Sequence, residues 1–370
     1  MGYVLALGLF LFKRFIKVGF IMHTECFVVD KEHPDQGVLG QAAEFLKRGK
    51  LVAFPTETVY GLGANGLDEK AVADIYVAKG RPSDNPLILH ISCIEELKRL
   101  VAHIPNNAKV LMNAYWPGPL TLVLRRSAIV PDIVTGGLET VGIRLPDSVV
   151  ARELIALAGT PIAAPSANIS GRPSPTSAQA VLVDLEGKID AVVDAGNCEI
   201  GVESTVVDCT TPVPTLLRPG GITLEMLMET LGEVEMDPIL SGSFELAPRS
   251  PGMKYTHYAP DAPMVLVEGE YPQVLELILK EVSAALAEGK RVGALVSLQT
   301  ADKLPSGTIP FVYGMRENVE EIAANLYSAL RSYDDHSVDV IFAEGISEDG
   351  LGLAVMNRLR KASGYRIIKG

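Results

Sequence analysis

The sequence predicts an α/β protein with a large mixed sheet followed by a smaller, parallel one. In the first part of the 370 residues, short apolar runs alternate irregularly with segments of helical spacing, which favours a mixed sheet. The last third alternates regularly, which favours parallel strands joined by helices. Between these parts, residues 233–263 lose periodicity and are rich in proline, serine and glycine. We therefore predict two domains, 22–232 and 264–370, joined by a linker.

Each element of the first domain is predicted from its apolar pattern and from the turn residues that bound it. Short apolar runs predict strands, whereas apolar residues spaced three and four apart predict helices. These criteria give strands at 26–30, 51–54, 87–89, 120–124, 141–145, 161–164, 191–194 and 204–208. They give helices at 34–50, 69–77, 95–101, 105–115, 149–158 and 176–185.

The second domain contains no glycine-rich phosphate loop and no cluster of acid–base residues, so we do not expect catalysis there. Asn357, Arg358 and Arg360 lie on its last helix. We interpret them as part of a solvated face, with an interdomain contact as the alternative. The predicted strands are 264–267, 291–297, 311–313 and 338–343, and the helices are 271–287, 319–331 and 351–362.

The linker contains a segment that is unusually rich in functional side chains. Residues 250–260 read SPGMKYTHYAP, with two tyrosines, a histidine and a lysine close together. A plain spacer does not need such residues. We therefore predict that residues 233–263 include a lid over a ligand.

The first 21 residues differ in character from the rest of the chain. An apolar run at 3–12 precedes three cations, whereas a signal peptide carries its charges before the apolar run. The run is also short for a membrane span. We interpret residues 1–21 as a mis-assigned start, with the protein beginning near Met22 and a membrane anchor as the alternative.

Bulk composition narrows the class of protein. An apolar share of 48% supports packed cores and excludes intrinsic disorder. The formal charge of −12 gives no general attraction to nucleic acid or anionic lipid. The four cysteines, Cys26, Cys93, Cys198 and Cys209, lack C-x-x-C or zinc spacing. Free thiols in a reducing cytosol are therefore expected.

Two cations mark the end of the helix predicted at 69–77. Lys79 and Arg81 flank Gly80, which suits a helix C-cap, and Pro82 cannot continue the helix. Cations are favourable at a helix C-terminus through the dipole alone. Asn85 and His90 follow closely, however, and such a set also suits an anionic ligand. We favour the ligand-binding interpretation.

Gly61, Gly63 and Gly66 match G-x-G-x-x-G, the dinucleotide-binding pattern. In that motif the strand runs directly into the first glycine and the glycines open a helix. Here the polar residues Thr56 to Thr58 intervene, and the helix begins only after Asp68. The match is therefore weak.

Polar residues recur at the ends of the predicted strands of the first domain, where α/β proteins usually bind ligands. Four cations among them or nearby suit a polyphosphate or carboxylate. No Walker A, kinase, G-x-S-x-G or H-E-x-x-H motif is present. These residues indicate an enzyme or binding domain for a small anion: Thr58, Lys79, Arg81, His90, Arg144, Ser166, Asn168, Ser204 and Arg218.

At these residues the chain resembles the threonylcarbamoyl-AMP synthase family in its long, two-domain form. The family's K-x-R and S-x-N pattern falls on Lys79, Arg81, Ser166 and Asn168. The resemblance runs from about Pro34 to the C-terminus, in family order. It is carried by PTETVYGLG, KGRPSDNPL, WPGPLT, VGIRLP, APSAN, ESTVVD, LRPGG and SPGMKYTHYAP.

The resemblance implies a YrdC-like first domain, an open mixed sheet around a concave, cationic cavity, and a smaller Rossmann-like C-terminal domain. It implies that L-threonine, bicarbonate or CO2, and ATP with Mg²⁺ give L-threonylcarbamoyl-AMP and pyrophosphate. A partner tRNA-modifying transferase would then use the product to form threonylcarbamoyladenosine (t6A). The protein is expected in the cytoplasm, away from membranes.

The resemblance also implies roles for individual residues. Those expected to be catalytic are Lys79, Arg81, Ser166 and Asn168. Those expected to bind ATP are Arg81, Asn85, Thr140, Ser166, Ser174, Arg218 and Tyr258. Those expected to bind threonine are Thr58, His90, Arg144 and Ser204, and no protein ligand for a metal is expected.

Two alternatives remain at this point. One is an RNA-binding module of the same fold, although the net acidity makes direct RNA binding weak or absent. The other is a nicotinamide-dependent dehydrogenase, motivated by the three glycines.

Overall fold

The computed structural model describes residues 23–241, 258–333 and 336–370. The predicted leader, 1–21, and residues 250–257 of the predicted lid lie outside the described residues. Two sheets organise the described part of the chain, one large and mixed and one parallel, which confirms the predicted fold class. None of the helices in these ranges is long and apolar enough to cross a membrane.

The large sheet contains both parallel and antiparallel strands, and several of these strands end near its centre. Its strands are β1 (Glu25–Val28), β2 (Val52–Pro55), β3 (Tyr60–Asn65), β4 (Ile88–His90), β5 (Leu120–Arg125), β6 (Thr140–Arg144), β7 (Ile162–Ala163), β8 (Ala191–Asp194), β9 (Thr205–Asp208), β10 (Thr215–Arg218) and β11 (Glu235–Met236). Their spatial order is β1-β8-β2-β3-β7-β4-β6-β5-β9-β10-β11. The sheet contains both parallel pairs, such as β4–β6, and antiparallel pairs, such as β5–β6.

Helices pack against the large sheet through two hydrophobic cores. They are α1 (Gln36–Lys47), α2 (Glu69–Lys79), α3 (Leu97–Leu100), α4 (Asn106–Tyr115), α5 (Asp132–Thr135), α6 (Val149–Ala158), α7 (Ala178–Leu185) and α8 (Leu224–Leu231). One core joins α1 and α6 to Phe54 of β2. The other joins α2, α4 and α7 to Leu89 of β4. The sheet is thus covered by helices while its central strand ends remain available.

The second domain is a five-stranded parallel sheet with helical crossovers. Its strands are β12 (Met264–Glu268), β13 (Val292–Ser297), β14 (Ile309–Gly314), β15 (Val340–Glu344) and β16 (Ile367–Lys369), in the order β14-β13-β15-β12-β16. Its helices are α9 (Tyr271–Ala287), α10 (Leu298–Ala301), α11 (Val319–Ser332) and α12 (Gly352–Ala362).

The three glycines of the dinucleotide-like pattern have a packing role. Gly61 and Gly63 lie inside β3, an antiparallel neighbour of β2, and no helix opens there. A Cβ at Gly63 would lie 2.8 Å from Ile162 Cγ2, and one at Gly66 would lie 2.5 Å from Leu89 Cδ2. Glycine is therefore needed for close strand packing, not for a phosphate turn.

Two further expectations differ from the structure. Residues 235–236 of the predicted linker form β11 beside β10, so the large sheet extends into that segment. The solvated face predicted for the last helix is wrong for Asn357, which is 8% exposed, and for Arg358, whose side chain is completely buried. Its guanidinium contacts Glu203 of the first domain, which is the interdomain alternative.

Candidate functional site

A cleft lies in the first domain between the central strand ends and the loop that follows α2. It encloses about 730 Å³, including its opening to solvent. Nine of the predicted site residues line it: Thr58, Lys79, Arg81, His90, Arg144, Ser166, Asn168, Arg218 and Tyr258.

Lys79 enters the cleft from the last turn of α2. Asp68 caps the start of this helix and Gly80 ends it in the left-handed conformation (φ 60°), as the sequence predicted. The Lys79 Nζ donates to the carbonyl oxygens of Ser166 and Asn168. Burial, together with the charge of Arg81, lowers the pKa of Lys79 well below its ordinary value. The ammonium is thus fixed but poorly solvated.

The Ser166–Asn168 turn is internally braced. Ser166 Oγ donates to Asn168 Oδ1 (2.5 Å), and Asn168 Nδ2 donates to the carbonyls of Ile169 (2.8 Å) and Arg172 (2.9 Å). These bonds hold the two carbonyls that bind Lys79. The side chains of Ser166 and Asn168 both line the cleft, and their hydrogen bonds position Lys79.

Arg81 and Asn85 present unsatisfied polar atoms. Arg81 Nη2 donates to the carbonyls of Asn85 (3.2 Å) and Pro86 (3.1 Å), while its Nε has no hydrogen-bond partner in the described ranges. Burial lowers the pKa of Arg81 to about 10, so it stays charged at neutral pH. Asn85 is 1% exposed, and neither of its amide atoms is bonded to any described residue. Such burial is costly without a ligand.

His90 and Arg144 are brought together by strand pairing. They are register partners at the ends of the parallel strands β4 and β6. Burial and the charge of Arg144 lower the pKa of His90 to about 3, so the imidazole is neutral at pH 7. Its Nδ1 has no hydrogen-bond partner within the part of the chain that the structure describes. A neutral ring beside a guanidinium can recognise a polar, anionic molecule.

Arg144 is held by two residues that precede β3. Its Nη1 donates to Thr58 Oγ1 (2.9 Å), and its Nη2 lies 2.7 Å from Glu57 Oε1. Thr56 Oγ1 lies 2.8 Å from Thr58 Oγ1 and extends this chain of contacts. Residues 56–58, which separate the apolar strand from the glycine pattern, therefore orient Arg144.

Ser174 and Ser204 lie just behind the cleft wall. Ser174 Oγ donates to Glu203 Oε1 (2.6 Å). Arg218 donates through Nε to the Ser204 carbonyl (3.0 Å) and through Nη2 to Ser204 Oγ (3.1 Å). Although burial raises the pKa of Glu203, the charges of Arg358 and Arg218 outweigh this and lower it to about 2. Glu203 is therefore an anion inside a cationic cleft.

Thr140 is not on the wall of the cleft. It lies at the opposite end of β6 from Arg144, in a small adjacent pocket that shares Ile88 with the cleft. Because side chains two residues apart point to the same face of a strand, Thr140, Gly142 and Arg144 share one face of β6. The small pocket thus lies along the same face of β6 as Arg144.

Sequence reasoning missed three residues at the cleft: Thr56, Glu57 and Glu203. Thr56 and Glu203 line the cleft, and Glu57 supports Arg144. Glu57 and Glu203 are 6% and 7% exposed. Carboxylates flanked by apolar and small residues in PTETVYG and GVESTVV were the available signal. In the described ranges, no group of three or more His, Cys, Asp or Glu side chains is arranged to hold a metal ion.

Two family models cover most of the chain. A Sua5/YciO/YrdC model described as "Telomere recombination" matches residues 44–220, and one described as "Threonylcarbamoyl-AMP synthase, C-terminal domain" matches residues 222–364. The second match is to the part of the chain that contains the small parallel sheet.

Curated relatives and a solved structure agree with these matches. The threonylcarbamoyl-AMP synthase of Pyrococcus abyssi (strain GE5 / Orsay) is 53% identical over 92% of this chain and 98% of the relative. That of Bacillus subtilis (strain 168) is 49% identical over 92% and 97%. The crystal structure of P. abyssi Sua5 complexed with L-threonine matches with a TM-score of 0.89 and 51% identity, over 94% of this chain and 100% of that one. The chain therefore belongs to the threonylcarbamoyl-AMP synthase family, as its motifs predicted.

Proposed function

We propose that this chain synthesises L-threonylcarbamoyl-AMP from L-threonine, bicarbonate or CO2, and ATP, with release of pyrophosphate. Family membership supports the enzyme class. The observation that carries the site is the convergence of Lys79, Arg81, Arg144 and Arg218 on one cleft of a protein whose net charge is −12. Such a concentration of cations suits a carboxylate and a polyphosphate. The RNA-binding alternative is not favoured by the relatives.

Threonine is assigned to the β4–β6 side of the cleft. Arg144 would pair with the substrate carboxylate, because Thr58 and Glu57 already fix its guanidinium. The neutral His90 would use its Nδ1, which has no partner among the described residues, for a hydrogen bond to the substrate. Ser204 would support this side from behind through Arg218. The threonine complex of the P. abyssi relative supports the substrate.

ATP is assigned to the loop after α2 and to the face of β6 that carries Arg144 and Thr140. Lys79, Arg81 and Asn85 would contact the phosphates, whose charge would restore full protonation of the buried Lys79. Arg218 and Tyr258 line the same cleft. Thr140, at the far end of this face, would meet another part of the nucleotide. Mg²⁺ enters as part of the MgATP substrate, held by phosphate oxygens and water.

The reaction then depends on positioning the substrates and neutralising the charge of the phosphates, and it does not need a nucleophile from the protein. The threonine amine adds to CO2 and loses a proton, which gives a carbamate. A carbamate oxygen forms a bond to the α-phosphorus of ATP, and the bond to the departing pyrophosphate breaks. The cations stabilise charge that builds up on the phosphates. Because the carbamate and the mixed anhydride both hydrolyse, exclusion of water favours product formation.

We further propose that the product passes to a tRNA-modifying transferase in the cytoplasm, with little or no direct RNA contact by this chain. The four free cysteines, two of them exposed, support a reducing compartment. The net acidity supports weak RNA affinity.

Isotope incorporation tests the proposed reaction directly. Purified protein is incubated with MgATP, L-threonine and ¹³C-bicarbonate, and the products are analysed by mass spectrometry. The expected adduct contains threonine, AMP and one labelled carbon. An AMP–threonine adduct without the labelled carbon would contradict the proposal, as would product formation that does not need threonine.

A further inference from the structure

A buried arginine from the second domain reaches the wall of the cleft in the first. Arg358, on α12, is 0% exposed. Its Nε donates to Glu203 Oε2 (3.0 Å), and its Nη1 donates to the Pro219 carbonyl (2.8 Å). Glu203 itself lines the cleft. An ion pair between residues 155 positions apart therefore ends at the proposed ATP site.

The carboxylate of Glu203 is held by groups from both domains. Tyr327 of α11 donates its hydroxyl to Oε2 (2.8 Å), and Ser174 donates to Oε1 (2.6 Å). The Tyr327 ring also stacks on Tyr258, another cleft residue, with centroids 5.2 Å apart. The second domain thus contributes a cation and a hydroxyl to one anion of the cleft.

This anion lies where it would oppose the substrate. A carboxylate in a poorly solvated wall repels a polyphosphate more strongly than one in water does. The neighbouring Arg218 donates its hydrogen bonds to Ser204, although its charge also helps to lower the pKa of Glu203. Arg358 supplies the opposite charge from behind, so the cations at the front remain available to phosphates.

We propose that Arg358 is a positioning residue of the ATP site, which acts by neutralising and orienting Glu203 from the second domain. This inference rests on the proposed function, because it takes ATP as the ligand. The second domain thereby has a defined role in binding, since it supplies the counter-charge that lets a cleft containing a carboxylate accept a polyanion.

Lys361, one turn further along α12, should reduce the effect of losing Arg358 on ATP binding. Burial and the charges of Arg358 and Arg218 lower the pKa of Lys361 to about 7. Removing Arg358 would remove one cause of this lowering, and Lys361 would then take up part of the lost charge. The loss of Arg358 should therefore weaken ATP binding on the order of tenfold, not abolish it.

A second substitution, at Glu203, separates this role from simple packing. For Arg358→Met we expect the KM for ATP to rise about tenfold with a smaller change in kcat. In the double variant Arg358→Met/Glu203→Gln the repelling carboxylate is also gone, so the KM should return to within about threefold of wild type. A purely structural role predicts that the double variant is at least as impaired as the single one, since it has lost the same contact.

Arg360→Met is the matched control, because Arg360 lies on the same helix and pairs with Glu268 and Glu348 of its own domain. Its KM for ATP should not change. If Arg358→Met does not fold, Glu203→Gln alone carries the test: losing the repelling carboxylate while Arg358 stays charged should raise the affinity for ATP, and an affinity equal to or below that of wild type would overturn the inference. An unchanged KM in Arg358→Met, or a double variant no better than the single one, would overturn the inference. ATP titration by calorimetry on the same proteins tests it even if threonine-dependent turnover is absent.

Discussion

Both domains place charged side chains at the carboxyl ends of their strands, but the two sets are satisfied in different ways. In the second domain the Glu344 carboxylate, 0% exposed, accepts from Ser297 N (2.7 Å) and Oγ (2.9 Å) and from Arg316 Nη1 (2.5 Å). In the first domain the cleft is rich in cations, and polar atoms of His90 in its wall and of Asn85, beside Arg81, have no partner among the residues that the structure describes.

This difference indicates which strand ends are built for a ligand. In the second domain the Glu344 carboxylate accepts hydrogen bonds from the donors around it, so these polar groups contribute to stability. In the first domain Glu57 pairs with Arg144 and Glu203 with Arg358, yet polar atoms of His90 and Asn85 remain buried without a partner among the described residues, which costs stability unless a ligand satisfies them. Substitutions in the cleft should therefore reduce activity, whereas substitutions around Glu344 should reduce stability.

The largest expected effect is the loss of a phosphate-binding cation. Lys79→Ala or Arg81→Ala should lower adenylate formation on the order of a thousandfold, because charge on the phosphates is no longer neutralised. The free energy of unfolding should change little. Pyrophosphate release and thermal melts measure the two effects, with Lys303→Ala, at an exposed position of the second domain, as control. Unchanged turnover in either cleft variant would refute the assignment.

In the second domain, the substitution to compare with these cleft variants is Glu344→Ala. This substitution leaves Arg316 without its carboxylate and Ser297 N without its acceptor. We expect a loss of about 3 kcal/mol in the free energy of unfolding, as is typical when one partner of a buried ion pair is removed. Chemical denaturation measures this loss. Kinetic constants of the folded fraction should match wild type, and a large rise in the KM for either substrate would show that this cluster belongs to the site.

Arg144→Lys should separate the two substrates. Lysine keeps the charge but not the planar pair of donors that contacts a carboxylate, so the KM for threonine should rise about a hundredfold. The KM for ATP should change much less. Arg316→Lys is the matched change in the second domain and should leave both constants unaltered. Equal rises for threonine and ATP after Arg144→Lys would argue against a threonine carboxylate at this position.

The smallest expected effect is a pH dependence caused by His90. Its pKa is about 3 in the folded protein and about 6.5 when unfolded, so the unfolded state takes up the proton first. Stability should fall by about 1.4 kcal/mol per pH unit as the pH decreases below 6.5, and this contribution should be absent in His90→Gln. Unfolding curves at about pH 6.5 and about pH 5 compare the two proteins. An NMR titration in which His90 takes up its proton at the ordinary histidine pKa would contradict this prediction.

Local sequence patterns predicted most elements of the fold and the front of the cleft. The helix at 149–158 and that at 271–287 have the bounds predicted from periodicity. Lys79 and Arg81 were found because Gly80 and Pro82 mark a helix end in the sequence itself. His90 and Arg144 were found because each ends an apolar strand.

The back of the cleft could not be predicted in this way. Glu203 and Arg358 are 155 residues apart, and each alone resembles an ordinary surface charge. Their pairing exists only after the two domains have packed together. β3 was missed for a related reason: its glycines look like a loop until Phe54 and Ile162 are seen to approach them.

In the proposed reaction the cleft couples ATP to threonine and bicarbonate. The most direct test is pyrophosphate release by the purified chain with MgATP, measured with and without L-threonine and bicarbonate, and with L-alanine in place of threonine. We predict release that requires both co-substrates and is not supported by alanine. A well-folded sample that binds ATP but releases no pyrophosphate under these conditions, or releases it equally without threonine, would contradict this claim.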